Sequence, residues 1–272
     1  MVKKERKGFL ERIKEAQSKK TEKQKKINAE EKQEKSVLPP KPVNDFVKDS
    51  RILKAYKYAE VHRMREGVVK IISKNNAKTC VITSPKDGVG NTFITCVIGL
   101  NIAFFSSMNV LIVDANLRRP EFHNIFKVQK EKGIIDVICR DIAPKDVIKR
   151  MSYNHFSLVT SGEERNDLSK YINRSVLEYF LNEIKDDFDL ILFDTSPVLI
   201  NNRNNIDPSV LSSICDITFL TVLEFETTKA ELKEMVEIIT KSGGKIGGIL
   251  YNKYISPKFS FSYLLNILGL KK

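Results

Sequence analysis

The sequence predicts an α/β fold in which a parallel sheet carries helices on both faces. Two observations support this prediction: short segments that are almost wholly apolar alternate along the chain with longer segments of helical periodicity, and helices bound the apolar segments on either side. Strands buried on both faces of a parallel sheet have this composition. The predicted strands are residues 78–83, 109–113, 157–160, 190–193, 218–222 and 246–250.

Helical periodicity predicts the elements before and between these strands. Residues 50–72 read as one helix, with Leu53, Tyr56 and Val68 among its apolar positions. The other helices are predicted at residues 91–106, 120–127, 168–187, 207–214 and 227–242. No internal repeat is evident, so the alternation predicts one α/β domain.

Length and composition limit the class of protein. With 272 residues, of which 42% are hydrophobic, the chain can bury one full-sized core. No apolar run approaches the ~18 residues of a transmembrane helix, and the first residues lack the pattern of a secretory signal. Cys80, Cys96, Cys139 and Cys215 are far apart and lack metal-ligand spacing. We therefore expect reduced thiols in a cytoplasmic protein.

The chain divides into three predicted parts. Residues 1–45 form a basic arm, in which residues 1–35 hold thirteen Lys or Arg against seven Glu, and closely spaced prolines end it. The arm is either solvated and disordered or a contact for an anionic membrane face. We favour the first and, since aromatic residues are almost absent from it, expect no specific nucleic acid partner. Residues 46–255 form the folded domain, and residues 256–272 form an apolar tail.

The apolar tail allows two interpretations. As a helix it would place Phe261, Leu264, Leu265 and Leu268 on one face and could lie on a membrane surface. It could instead dock onto an adaptor subunit or onto the core of its own chain. We favour docking, because the segment lacks flanking charge.

A glycine-containing loop follows the first predicted strand and leads into the helix at residues 91–106. A strand, a Gly-x-Gly loop and a helix in this order allow backbone N–H groups and a helix N-terminus to bind phosphate. The residues of this predicted phosphate-binding loop are Lys86, Asp87, Gly88, Val89, Gly90, Asn91 and Thr92.

Two further predicted strands end in an acidic residue. Asp114 opens the run Asp-Ala-Asn-Leu-Arg-Arg-Pro, which also contains Asn116 and Arg118, and Asp194 follows residues 190–193. Because the carboxyl ends of parallel strands meet at one edge of a sheet, both carboxylates are expected beside the phosphate-binding loop. There they could organise Mg²⁺, and Arg118 could pair with phosphate. A strand-end Asp can equally cap the next turn, and for Asp114 this alternative stays open.

With these motifs the chain resembles the bacterial tyrosine kinases of capsular and exopolysaccharide synthesis, within the MinD/ParA-like branch of the P-loop ATPases. The resemblance covers roughly residues 50–255 and includes Asp-Thr-Ser-Pro-Val-Leu at 194–199 and Ile-Leu-Tyr-Asn-Lys at 249–253. It implies ATP and Mg²⁺ as cofactors, and it places Asn252 near the base. The implied metal residues are Thr92, Asp114 and Asp194, and the candidate catalytic residues are Asp114, Asn116, Asp194 and Lys86.

The resemblance also implies partners. The family carries a helix with Glu-x-x-Arg-x-x-Arg that docks against a neighbouring subunit, and here Glu60 and Arg63 match it, whereas Glu66 stands in place of the second Arg. A homo-oligomer through this helix is expected, with an ordinary surface ion pair as the alternative. A membrane polysaccharide co-polymerase would be the adaptor and activator, so the protein would be peripheral to the inner face of the cell membrane.

Departures from the family pattern concern activity. Asn91 replaces the lysine of the phosphate-binding loop. Asn116 replaces the second acid of the run at residues 114–120, which we call the second motif, and the loop at residues 199–205 has no matching acid. Losing one charge-assisted contact costs about 1.5–3 kcal/mol, whereas losing one stabiliser of transition-state charge can cost about 10²–10³ in rate. Catalysis should therefore suffer more than binding.

Three functions remain open from the sequence. The first is a tyrosine autokinase that acts on tail tyrosines, of which Tyr251, Tyr254 and Tyr263 are the candidates. The second is a nucleotide-binding regulator without useful catalysis, which Asn91 favours. The third is a MinD/ParA-like positioning ATPase, in which Lys86, five residues before Asn91, supplies the lost charge.

Overall fold

The computed structural model describes residues 43–151, 155–200 and 204–253. The basic arm, apart from its last three residues, and the apolar tail lie outside the described residues. Among the described residues, Val43 and Phe46 are buried in a short first helix. Tyr254 and Tyr263 lie outside the described residues as well.

Helices and strands alternate along the chain. The helices are α1 (Val43–Phe46), α2 (Ser50–Ala55), α3 (Ala59–Asn75), α4 (Asn91–Phe105), α5 (Phe122–Ile125), α6 (Ile134–Arg140), α7 (Arg174–Ile184), α8 (Pro208–Ile214) and α9 (Lys229–Lys241). The strands are β1 (Thr79–Thr83), β2 (Val110–Asp114), β3 (Lys149–Arg150), β4 (Phe156–Val159), β5 (Leu190–Asp194), β6 (Ile217–Leu223) and β7 (Ile246–Asn252). Two 3₁₀ turns, Pro144–Val147 and Leu168–Lys170, complete the set in the described residues.

The strands form one sheet in the order β3-β4-β2-β5-β1-β6-β7. All neighbours pair in parallel except β3, which runs antiparallel to β4 at the edge. The predicted α/β class is confirmed, and the antiparallel edge strand is an addition to it. In the register, Asp114 at the end of β2 stands beside Asp194 at the end of β5.

The core has two main parts, one on each face of the sheet. Consecutive strand residues alternate between them: Ile112 and Leu192 pack with α3 and α4, whereas Leu111 and Ile191 pack with α6, α7 and α8. This alternation explains the wholly apolar strands, since both faces of each central strand are covered. Helix α4 is buried along most of its length, which explains its scarcity of charged residues.

Residues 50–72 do not form one helix, contrary to the prediction. Helix α2 ends at Ala55 and α3 begins at Ala59. The carbonyl of Tyr56 accepts a hydrogen bond from Nδ2 of the buried Asn101 on α4, at 2.6 Å. That tertiary bond uses an acceptor that a continuous helix would need for itself, and local periodicity carries no sign of it.

The helix predicted at residues 168–187 is also shorter than expected. Residues Leu168–Lys170 form a 3₁₀ turn, and α7 begins after Asn173, whose Oδ1 accepts from the N–H of Val176 at 3.1 Å. An Asn at this position is a typical N-cap, so a new helix starts there. Helix α6 was not predicted at all.

Most of the cysteines are buried, and the described helices are not suited to crossing a membrane. All four cysteines are unpaired, and Cys80, Cys96 and Cys215 are buried. Burial raises the pKa of each of these three thiols, which keeps them protonated and unreactive. Within the described ranges, none of the helices has the length and apolarity needed to cross a bilayer.

Candidate functional site

The predicted phosphate-binding loop joins β1 to α4 at the carboxyl edge of the sheet. Gly88 and Gly90 have φ angles of +81° and +90°, a backbone region that favours glycine. The loop lines a cavity of about 300 Å³, to which Lys86, Asn91, Thr92 and the residues between them contribute. The start of α4 faces this cavity, so the predicted strand, loop and helix are all in place.

The side chain of Asn91 bonds to the sheet edge. Its Nδ2 donates to the Ile82 carbonyl at 2.9 Å, to the Thr195 carbonyl at 3.0 Å and to Oδ1 of Asp194 at 2.8 Å. The residue is only 8% exposed. The amide therefore links β1 to the end of β5, and its N–H groups donate to acceptors within the protein.

Asp194 and Asp114 are adjacent, fully buried carboxyl groups. Burial, and then the neighbouring Asp114, raises the pKa of Asp194 well above its usual range, although hydrogen bonds from Thr92, Asn91 and Thr95 act against this. Burial likewise raises the pKa of Asp114. One oxygen of each group, Oδ2 of Asp194 and Oδ1 of Asp114, has no hydrogen-bond partner in the described protein.

The other oxygen of Asp114 caps a turn. Its Oδ2 accepts from the N–H groups of Glu121 and Phe122, both at 3.0 Å, at the start of α5. Of the two interpretations left open for this residue, the capping contact is thus present, and Oδ1 remains available for a second role. Asn116 makes a local contact as well, since its Oδ1 accepts from the N–H of Arg119 at 3.3 Å.

Arginines from the second motif clamp the phosphate-binding loop. Arg118 forms an ion pair with Asp87, and Nη1 of Arg119 lies 3.6 Å from Oδ2 of the same carboxylate. Arg119 lines the cavity, whereas the guanidinium of Arg118 is engaged by Asp87 at its edge. Arg118, which was predicted to pair with phosphate, is therefore held beside the phosphate-binding loop by the carboxylate of Asp87.

Lys86 is anchored to α9. Its Nζ donates to the Glu226 carbonyl at 2.6 Å and to Oε1 of Glu231 at 3.0 Å. Glu231 also forms a capping box with Thr228 at the start of that helix. The ammonium lies in a contact within its own chain, although the residue lines the cavity.

Asn252 approaches the loop from the end of β7. Its Nδ2 donates to the Val89 carbonyl at 2.8 Å, and a Cβ at Gly90 would lie 2.4 Å from the same Nδ2. Asn252 also lines a small cavity with Arg51 and Phe93. Position 90 thus needs glycine both for its φ angle and for this close approach.

The donor set at this edge suits a Mg²⁺ ion that is bound chiefly through a nucleotide. Among the described residues no group of three His, Cys, Asp or Glu has an arrangement that could hold a metal alone. Mg²⁺ is commonly bound by one or two carboxylates or hydroxyls together with substrate phosphates and water. The free oxygens of Asp114 and Asp194, with Thr92 beside Asp194, match that demand.

Several residues of the site were not predicted. Asp49 at the N-cap of α2, Arg51 within α2 and Glu121 at the N-cap of α5 line the cavity. Asn205 accepts from the Leu117 N–H at 2.9 Å and donates to Ser196, so it joins the loops that follow β2 and β5. No motif in the sequence identifies these residues. Only Asn205 could have been inferred, because its loop follows a strand that ends at the same edge of the sheet.

The helix predicted for subunit docking carries the expected ion pair. On α3, Nη2 of Arg63 lies 3.0 Å from Oε1 of Glu60, and both side chains are more than 70% exposed. Glu66 pairs with Arg65 on the same helix. A pair this exposed contributes little to stability, so its role in assembly stays a prediction.

Comparison with known proteins gives a family match and named relatives. Residues 77–211 match the model of a family described as AAA domain. The chain is 27% identical over 200 residues to a Staphylococcus aureus protein named tyrosine-protein kinase CapB, covering 74% of this chain and 86% of that one. It is 23% identical to tyrosine-protein kinase YwqD of Bacillus subtilis, covering 68% and 77%. It is 26% identical to tyrosine-protein kinase Etk of Escherichia coli K12, where it spans only 25% of the longer protein.

Solved structures share the fold. The chimerical protein CapA2B2 matches with a TM-score of 0.67 at 20% identity, over 77% of this chain and 93% of that one. The cell division ATPase MinD of Pyrococcus furiosus matches with a TM-score of 0.54 at 17% identity, over 72% and 81%. Cobyrinic acid a,c-diamide synthase of Mycobacterium smegmatis, solved with ADP and magnesium, matches with a TM-score of 0.53 at 16% identity, over 72% and 83%. The chain thus has the fold of the MinD/ParA-like P-loop ATPases, and the resemblance to the bacterial tyrosine kinases is confirmed.

Proposed function

We propose that this chain binds Mg²⁺-ATP at the loop from Lys86 to Thr92 and acts as a tyrosine-autokinase-like protein in capsular or exopolysaccharide synthesis. The observation that carries the nucleotide site is the pair of positive-φ glycines, Gly88 and Gly90, between a parallel strand and a buried helix. Backbone N–H groups in such a loop, together with the helix N-terminus, bind phosphate without any side-chain charge. Relatives named as tyrosine kinases support the reaction class.

Residues at the sheet edge would take distinct roles. Thr92, Asp114 and Asp194 would hold Mg²⁺, which supplies neutralisation of phosphate charge when bound. Asn116 and Arg119 line the cavity beside the loop and would face the phosphates or the acceptor. Asn252 positions the loop through Val89 and, with Arg51 and Phe93, forms the side on which a base would lie.

A second function is favoured by one observation, the contacts of Asn91. Its amide donates to three protein acceptors and supplies no positive charge to the cavity. Phosphoryl transfer depends on positioning and on charge neutralisation, so this substitution lowers the rate more than the affinity. A nucleotide-binding regulator with slow or absent catalysis is the alternative, and it would act in the same assembly.

Partners follow from the resemblance and remain part of the proposal. A membrane polysaccharide co-polymerase would bring the chain to the inner face of the membrane and activate it. The exposed Glu60–Arg63 pair on α3 would contact a second copy of the chain.

The test is incubation of the full chain with Mg²⁺-ATP, with and without the cytoplasmic segment of the co-polymerase, followed by phosphotyrosine detection. The autokinase predicts a signal in the wild type that the Asn91→Lys variant strengthens. A signal in the Asn91→Lys variant alone would favour the regulator. Absence of signal from both proteins, under conditions where ATP binds, would contradict the kinase assignment.

A further inference from the structure

An apolar groove lies between α3 and α4, beside the end of β7. It has a volume of about 620 Å³. Val61 and Met64 line it from α3, Val97 lines it from α4, and Tyr251 lines it from β7. Tyr58 and Tyr251 are 54% and 45% exposed, so large apolar side chains at the mouth of the groove face solvent. An apolar surface that residues 43–253, so far as they are described, leave open in this way usually marks a docking site.

Charge in and around the groove favours an uncharged occupant. Glu60 and Arg63 at its rim pair with each other at 3.0 Å, and Lys253 lies over the ring of Tyr251. The floor consists of buried apolar residues of α4, Ile94 and Val97 among them. The interior of the groove therefore presents no charge that an occupant would need to neutralise.

The chain itself supplies such an occupant next to the groove. Asn252 and Lys253, the last described residues, line the groove. Residues 259–270 then read Phe-Ser-Phe-Ser-Tyr-Leu-Leu-Asn-Ile-Leu-Gly-Leu, with eight large apolar side chains and no charge among twelve residues. The five residues between can span at most about 18 Å, so the segment stays near the groove at an effective concentration on the order of millimolar.

We propose that residues 259–270 dock into this groove of their own chain. As a helix about 18 Å long, the segment would present Phe261, Leu264, Leu265 and Leu268 to α3 and α4. Docking removes two apolar surfaces from water at once, and the short connection keeps its entropic cost small. This inference does not depend on nucleotide binding. It concerns the apolar interior of the groove only, and the exposed Glu60–Arg63 pair at the rim stays accessible to the second copy proposed above.

Because the chain contains no tryptophan, one introduced tryptophan reports on the segment alone. We expect the full chain carrying Leu265→Trp to emit at shorter wavelength in buffer than in urea, at every protein concentration and without lipid. Two groove changes should move the emission to the value in urea. Met64→Glu puts a charge on the groove wall. Tyr58→Asp removes apolar surface at the N-cap of α3, where Asp is favoured, so the helix itself is not weakened.

Each other outcome overturns the proposal. Emission equal to that in urea would show an undocked segment, and a shift that survives both groove changes would place the segment elsewhere. A shift that grows with protein concentration would assign the groove to a second copy. A shift that needs vesicles of anionic phospholipid would assign the segment to a membrane surface. Circular dichroism of the groove variants confirms that they are folded.

Discussion

At the residue scale, the position expected to hold a lysine carries an amide with a structural role. Asn91 joins Ile82 on β1 to Asp194 and Thr195 at the end of β5. It donates a 2.8 Å hydrogen bond to the carboxyl group of Asp194, which burial has made costly to ionise. The substitution therefore stabilises the site while it removes charge from the cavity.

Replacing Asn91 should cost stability. Asn91→Ala removes the 2.8 Å amide bond to Asp194 and leaves the hydroxyls of Thr92 and Thr95 as its side-chain donors, so we expect the free energy of unfolding to fall by about 1–3 kcal/mol. The matched control is Asn75→Ala, since Asn75 is exposed at the end of α3 and should change stability by less than about 0.5 kcal/mol. Urea unfolding measures the change in both variants. Equal changes in the free energy of unfolding would show that the buried contacts of Asn91 do not stabilise the protein.

The two buried carboxyl groups predict a pH dependence with a definite sign. Their folded-state pKa values are raised, so the folded protein holds protons that the unfolded chain releases, and this stabilisation is lost as pH rises. Without metal, the unfolding free energy of the wild type should therefore fall relative to that of Asp114→Asn between about pH 4 and 7, the interval between the ordinary pKa of an aspartate and the raised pKa of Asp114, about 7. Urea unfolding in chelator measures this difference, and a constant difference across the range would refute the raised pKa values.

Sequence patterns predicted which residues meet at the carboxyl edge of the sheet better than they predicted the contacts of those residues. The loop, Asp114 and Asp194 could be predicted because strand ends converge at one edge of a parallel sheet. The inward contacts of Asn91, the anchoring of Lys86 by Glu231 and the clamp on Asp87 could not, because each joins residues far apart in the chain.

At the scale of elements, the turn from β1 into α4 depends on glycine. Gly90 is the N-cap of α4 and has a left-handed conformation, with Asn252 directly against it. The backbone thus meets two separate requirements at one position, and only a residue without Cβ satisfies both.

Two glycine substitutions should have opposite effects. Gly90→Ala forces a Cβ to within 2.4 Å of Nδ2 of Asn252 at a φ of +90°. We expect the free energy of unfolding to fall by at least about 1 kcal/mol. Gly67→Ala lies within α3 with no atom near the added Cβ and should stabilise by about 0.5–1 kcal/mol. Thermal unfolding compares them, and a stable Gly90→Ala would show that the loop relaxes easily.

Strands were predicted better than helices. Each predicted strand lies within about two residues of an observed one, because an apolar run covered on both faces leaves a clear signal. The break after α2 depends on a hydrogen bond from Asn101 to Tyr56, which no local pattern encodes. The antiparallel β3, two residues long, is too short to give a periodic signal.

At the scale of the whole molecule, the phosphate-binding loop is tied to distant parts of the chain. Lys86 connects it to α9, Asp87 to the loop after β2, and Val89 to β7 through Asn252. The loop is thereby fixed from three sides before any ligand arrives, which lowers the entropic cost of binding.

Lys86 provides a test of how far this arrangement persists during turnover. Since its ammonium is held by Glu231 and by the Glu226 carbonyl, we expect Lys86→Ala to hydrolyse ATP at the wild-type rate. Losing the Lys86–Glu231 ion pair should also lower the free energy of unfolding by no more than about 1 kcal/mol, because the pair is partly exposed. A fall in turnover of tenfold or more would show instead that Lys86 leaves Glu231 to act on the nucleotide.

Nucleotide binding at the phosphate-binding loop is tested most directly by a calorimetric titration of the full chain with ATP in the presence of Mg²⁺. We expect one saturable site with a dissociation constant between about 1 μM and 1 mM. We also expect Thr92→Val to bind ATP more weakly than the wild type only when Mg²⁺ is supplied. If ATP at millimolar concentration with Mg²⁺ produced no heat of binding, the loop between Gly88 and Thr92 would not be a nucleotide site.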